Sequence, residues 1–115
     1  MQDKPAIKTA IPKRRYQISD YSATLLGEIE AGDGRGYRWV LALMPMGESE
    51  PTLYVCCEQS AAPGGVYDVR VVNEAMSEVV DSDARWRDLD TFAEAALDLA
   101  KQLLGLQKEQ SLRLL

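Results

Sequence analysis

Few residues in this chain can do chemistry, and the first fact about them is an absence. There is no histidine, so the side chain most often used as a general base near neutral pH, and as a metal ligand, is missing. Ser-His-Asp and Cys-His arrangements are excluded with it, and no G-x-S-x-G turn occurs. The only two cysteines, Cys56 and Cys57, are adjacent within the apolar run Leu53-Tyr-Val-Cys-Cys57. Neighbouring strand residues point to opposite faces, so these thiols read as small apolar side chains, one per face, whereas a redox or zinc pair would be spaced C-x-x-C. The carboxylates Glu28 with Glu30 and Asp81 with Asp83 fall where solvated strand edges and turns would place them. Asp81-Ser-Asp83 also lacks the glycine and the glutamate that complete a calcium loop. Gly32-Asp-Gly-Arg-Gly36 is not followed by a helix whose N-terminus could hold a phosphate, and it reads as a hairpin turn. These patterns predict a non-catalytic protein with no cofactor-binding or metal-ligating residue.

The cations are more suggestive. The first forty residues carry a net charge of +2 and the remainder −7, giving −5 in all. Lys13, Arg14 and Arg15 lead into Arg35 and Arg38, with Tyr21, Tyr37, Trp39 and Tyr54 nearby in the pattern. Cations beside aromatic rings are what a single-stranded nucleic acid uses, its bases stacking on the rings. Lys13, Arg14, Arg15, Arg35 and Arg38 are therefore the candidate nucleic-acid contacts. An acidic body works against that reading, because it repels phosphate. Arg85-Trp-Arg87 is a second aromatic–cation cluster, expected to close the end of the core with Trp86, or alternatively to face a partner as a hot spot.

Elements must position these groups, and the periodicity supplies them. Residues 1–18, with Pro5 and Pro12 and little alternation, are expected as a flexible basic N-terminal arm. From Tyr21 to Ala31 apolar and polar residues alternate, broken only by Leu26, which predicts a half-buried strand. Tyr37–Met44 and Thr52–Glu58 read as strands apolar on both faces, with Tyr37, Trp39, Leu41 and Leu43 expected to share one of them. Val66–Val72 is a fourth strand and Met76–Val80 a short fifth. Leu89, Phe92, Ala93, Ala96, Leu97, Ala100, Leu103 and Leu104 recur at three and four, the mark of an amphipathic helix. Asp88 is its expected N-cap, Thr91 with Glu94 spells a capping box, and Gly105 suits the stop. The expectation is an α+β fold: an antiparallel four- to five-stranded meander followed by one C-terminal amphipathic helix packed on one face. Residues 19–105 form the single domain, and 106–115 a tail or helix extension. The order of four strands and a helix is also that of the PC4-like and Whirly-like single-strand DNA binders, a similarity of element order alone.

One magnitude turns this fold into a functional expectation. A helix of this length is about 24 Å long and 10 Å wide, whereas four or five strands span about 19–24 Å. It covers half the width of one face and none of the other. Val40, Ala42 and Met44, with Tyr54 and Cys56 of the next strand, are left on the helix-free side as a patch of a few hundred Å², more than a monomer ordinarily leaves unused. A second copy, packed sheet to sheet or edge to edge, the chain's own tail, or another protein must cover it. The first is expected, because two-fold homodimers are the commonest soluble assembly. Val40, Ala42, Met44, Tyr54 and Cys56 are thus the candidate interface. The predicted function is a cytoplasmic protein-interaction module, with single-stranded nucleic-acid binding as the alternative and no membrane association.

Overall fold

The computed structural model describes residues 1–115. One antiparallel sheet contains β1 (Ile7–Ile18), β2 (Tyr21–Ala31), β3 (Tyr37–Pro45), β4 (Leu53–Gln59), β5 (Tyr67–Asn73), β6 (Ser77–Asp83) and β7 (Ser111–Arg113). The helix α1 (Leu89–Leu104) lies between β6 and β7 in the chain, entered through a 3₁₀ turn at Ala84–Arg87. The strand order is β6-β5-β4-β3-β2-β1-β7. Strands β1 to β6 pair in sequence as a meander; α1 then carries the chain back over one face to the opposite edge, where β7 pairs with β1. The fold is α+β with a single antiparallel sheet, as expected, but with seven strands rather than four or five. No helix is long and apolar enough to cross a membrane.

The two additional strands correct the reading of both ends. Residues 7–18 are not a flexible arm: they form the longest strand, and Tyr16 and Ile18 belong to the core. Alternation is invisible there because the register against β2 shifts three times, between Ile7 and Thr9, Thr9 and Ile11, and Pro12 and Arg14. Each shift moves side chains from one face to the other. Pro12 is tolerated because β7 covers only the far end of β1, leaving this stretch a sheet edge. Residues 106–115 neither extend the helix nor fold over the open face. Gly105 ends α1 in the left-handed conformation at φ 70°. Its N–H donates to the Gln102 carbonyl at 3.3 Å and that of Leu106 to the Lys101 carbonyl at 2.7 Å, a Schellman closure. The chain then turns into β7.

Helix α1 is otherwise built as its spacing predicts. The Asp88 carboxylate accepts the backbone N–H of Thr91 at 2.9 Å and its hydroxyl at 2.8 Å. Thr91 is therefore a partner of the cap and does not form a box with Glu94. Phe92, Ala93, Ala96, Leu97 and Ala100 are buried against Ala23, Leu25, Leu41, Leu43, Val55 and their neighbours. Trp86 closes the end of this core, where its carbonyl accepts the Cys57 thiol at 3.4 Å.

A second, separate apolar cluster lies on the helix-free side: Tyr37, Val40, Tyr54, Cys56 and Val72, with Leu26, Ile29 and Ala31 against it. It explains Leu26, which breaks the alternation of β2 because it serves the other face. Glu28, at φ 48°, then switches the parity so that Ile29 and Ala31 follow Leu26. A register shift between Tyr37 and Trp39 likewise puts these two on opposite faces, correcting the expectation that they share one.

Candidate interaction surfaces

Three surfaces gather the residues singled out from the sequence. On the helix-free face, Val40 and Cys56 are 0% exposed and Tyr54 5%, while Ala42 and Met44 are half-buried. The single chain therefore already covers the centre of the expected interface. Within the chain this cover is not the anticipated tail: residues 1–6, ahead of β1, lie back across this face. The Met1 side chain is 7% exposed and packs on the cluster, and Pro5 is buried.

Polar groups pin this strap. The Asp3 carboxylate accepts the Ser77 hydroxyl at 2.6 Å and pairs with the Arg35 guanidinium at 3.0 Å. Arg35 also reaches the buried Glu58 at 3.5 Å; Arg70 bonds Glu58 at 3.2 Å and the Ser77 hydroxyl at 3.3 Å. At the root of the strap, the Asp33 carboxylate accepts the Ala6 N–H at 3.1 Å, and the Tyr37 hydroxyl donates to it at 2.6 Å. The Ser77 hydroxyl, and after it Arg35, hold the Asp3 carboxyl below its ordinary range. Burial would raise that of Asp33, but the Tyr37 hydroxyl and the Ala6 and Arg35 backbone N–H groups outweigh it and lower it. Burial pushes the Cys56 thiol far up, and that of Cys57, on the helix side, to about 12. Both are inert in the closed molecule. Arg35, a candidate nucleic-acid contact, is thus committed to an internal network on this face.

The second surface is the corner of the same face beyond the strap. Leu112, Gln17, Ser22 and Met44 are register partners across β7, β1, β2 and β3 and form one transverse row. Arg15, Thr24 and Ala42 lie in the next row, where Leu114 donates its N–H to the Arg15 carbonyl at 2.7 Å. Leu112 is 61% and Leu114 60% exposed, and Met46, in the turn after β3, 59%. The outer edge of β7 is unpaired.

The third surface lies on the helix side, around the entry to α1. Lys13, Arg14 and Arg38 converge there with Arg85 and Arg87, whereas Arg15 and Arg35 lie on the opposite face. Lys13 rests along Gly27 beside the Trp39 ring, where a Cβ on Gly27 would stand 2.8 Å from the lysine stem. Arg38 donates to the Arg87 carbonyl at 2.9 Å. The guanidiniums of Arg38 and Arg85 sit over Trp39 and Trp86, 4.9 and 4.3 Å from the ring centroids. Cations rather than bases therefore stack on these rings. Carboxylates balance the cluster: Glu28 pairs with Lys13, Asp90 with Arg14, and Asp81 and Asp83 with Arg85. Asp88 lines the same depression as Arg38, Arg85 and Arg87. The bond to Asp90, followed by that to Tyr16, raises the Arg14 pKa, and the Thr91 N–H lowers that of Asp88.

Of the paired carboxylates of the sequence, Glu28, Asp81 and Asp83 have structural partners. Asp83 accepts the Arg85 N–H at 2.9 Å and caps the 3₁₀ turn, and Ser82 donates to Asp68 at 2.6 Å. No group of three or more cysteine, aspartate or glutamate side chains converges as a ligand set. The strap was beyond sequence reasoning, since six residues with one turn carry no period; its one usable sign was Asp3, a lone acid among the basic residues of the first fifteen. In comparison with known proteins, the chain matches no family model, no curated protein and no solved structure.

Proposed function

We propose that the protein is a non-catalytic interaction module whose first partner is a second copy of itself, engaged at the β7 corner of the helix-free face. The observation that carries this reading is the group of exposed apolar side chains beside an unpaired edge, Leu112, Leu114 and Met46, with the half-buried Met44 among them. The two edges of the sheet differ in this respect. Strand β6 carries Glu78, Asp81 and Asp83, and the open stretch of β1 carries Lys8, Pro12 and Lys13, the devices by which proteins keep edges from pairing. Strand β7 carries only Arg113. Pairing β7 with its own copy, antiparallel about a two-fold axis, is self-complementary. It extends the sheet and brings both sets of leucines onto one face.

The patch amounts to a few hundred Å², well below the roughly 1,600 Å² of a standard interface. A micromolar dimer is expected. Sedimentation velocity from about 1 to 300 μM, spanning the few-kcal/mol range around a micromolar constant, should show the mass rising toward twice that of one chain, unaffected by 0.5 M salt. Leu112→Lys with Leu114→Lys should restore the monomer. A wild-type mass that stays at one chain over the whole range would overturn the reading.

A second reading, binding of single-stranded nucleic acid, is supported by the convergence of Lys13, Arg14 and Arg38 with Arg85 and Arg87. The surrounding carboxylates oppose it. It requires oligonucleotide anisotropy that rises at about 50 mM salt and collapses by about 200 mM; no rise with tens of micromolar protein would remove it.

A further inference from the structure

The strap over the second cluster is held in an unusual way. No backbone–backbone hydrogen bond ties residues 1–5 to the sheet; the first such contact is the Gly32 N–H to the Ala6 carbonyl at 2.8 Å. What holds the segment is two apolar side chains, Met1 and Pro5, and the carboxylate of Asp3 between them, with peripheral ion pairs from the Met1 ammonium to Glu74 at 3.4 Å and from Lys4 to Glu50 at 4.0 Å. A segment without backbone anchoring is drawn from the least protected part of a fold. Its seat, by contrast, is built from the rigid middle of the sheet.

The charges of that seat are unequal. Arg35 and Arg70 face it with Glu58 as the one buried carboxylate. Without Asp3, two guanidiniums share a single buried carboxylate, and the Ser77 hydroxyl loses its acceptor. The floor beside them is apolar: Tyr37, Val40, Tyr54, Cys56 and Val72. The seat is therefore a groove complementary to a short segment with an acid at its centre and an apolar residue two places to either side. Asp3 also adopts φ 60°, a left-handed conformation that aspartate and asparagine accept more readily than most residues. Asparagine therefore removes the charge while keeping the turn.

We propose that residues 1–6 are an exchangeable occupant of this groove, seated in cis here and replaceable in trans by the same segment of a second copy. The occupant is fixed by complementarity, since this sequence sets Asp3 against Ser77 and Arg35 and Met1 on the apolar floor. The tether at Ala6–Ile7 gives the cis segment an effective concentration in the millimolar range, which a free copy must overcome. Exchange therefore shows itself when the cis contact is weakened. The contacts in the exchanged form are those of the closed monomer, which is why swapping of a terminal segment is a low-cost route to association. This inference is independent of the β7 corner, which lies beyond the strap and shares none of its contacts.

Cys56 reports on the groove. It lies beneath the strap, whereas Cys57 faces the helix, so a full-length Cys57→Ala chain carries one thiol whose labelling rate by a disulfide reagent measures opening. In that background Asp3→Asn should raise the rate at least tenfold. Adding a synthetic peptide of residues 1–6, or the full-length chain with Cys56→Ala and Cys57→Ala as an unlabelled donor, should bring the rate back down at concentrations up to about 1 mM. A peptide with asparagine in its third place should need at least ten times more. Ser77→Ala, which takes away the hydroxyl donor from the other side, serves as the second variant and should give the same pattern with a smaller rise. Circular dichroism and the exchange of α1 amides, unchanged in both variants, separate opening from unfolding. Three outcomes overturn the proposal: a labelling rate unaffected by both variants, a faster rate that neither peptide nor donor chain suppresses, or equal suppression by the aspartate and asparagine peptides.

Discussion

The two faces of the sheet meet the same requirement by different means. On one, α1 lays sixteen residues with a continuous hydrogen-bonded backbone over the β3–β4 centre and buries five side chains of its own. On the other, six residues do it with Met1, Pro5, the Asp3 carboxylate and two peripheral ion pairs, Met1 ammonium to Glu74 and Lys4 to Glu50. The helix side is fastened by area, which scales with apolar burial and is indifferent to salt. The strap side is fastened by direction: hydrogen bonds and ion pairs, short in reach and sensitive to protonation and ionic strength. A sheet apolar on both faces need not be a surface waiting for a partner, because a strap far narrower than a helix can shield it when the residues to be hidden sit close together.

The largest expected effect tests the helix side. Phe92→Ala, at a fully buried position, should cost about 3–5 kcal/mol in urea denaturation, the range for phenylalanine deletions in cores. A loss under 1 kcal/mol would mean that α1 is docked loosely and that the contrast between the faces is misdrawn. Next comes the floor of the strap side. Val40→Ala should cost about 2 kcal/mol, from two methyl groups and the space they leave. A cost near zero would show that water already reaches this cluster.

The smallest effect separates the modes of fastening. The Asp3 carboxyl is depressed in the folded molecule by Ser77 and Arg35. Its contribution to strap closure is therefore full above the unfolded carboxyl value of about 3.9 and fades as the pH falls through the lower folded value. Asp33, also lowered, acts in the same direction at Ala6. Below about pH 4 the Met1 methyl resonance should drift toward its random-coil position while the Phe92 ring signals stay put. Both sets moving together would mean global acid unfolding, and no mechanical independence of the faces.

The helix and the inner strands were legible because their side chains repeat. The bounds of α1, its cap at Asp88 and its stop at Gly105 follow from spacing and residue type, and the β2 span from Tyr21 to Ala31 follows from alternation. What escaped is what has no period. Three register shifts scramble β1, and Pro12 argues against a strand to anyone who cannot see that this stretch lies at an edge. Strand β7 has three residues, too few to show alternation. The two-faced character of Val40, Tyr54 and Cys56 could be read, but their cover could not, since it depends on Asp3 meeting Ser77 and Arg35, positions 74 and 32 residues away. The scatter of Lys13, Arg14 and Arg38 to one face and of Arg15 and Arg35 to the other follows from the same shifts of parity.

The pairing of β7 with β1 has a temporal side. Tyr16 meets Arg113, so β1 is synthesised well before the strand that pairs with its outer side. While the chain leaves the ribosome, the outer margin of β1 stays without its neighbour even after the meander has formed. The lysines, the proline and the irregular register lie along the stretch that β7 never covers, so they guard that part of the margin permanently, whereas Tyr16–Ile18 is shielded only once β7 has paired.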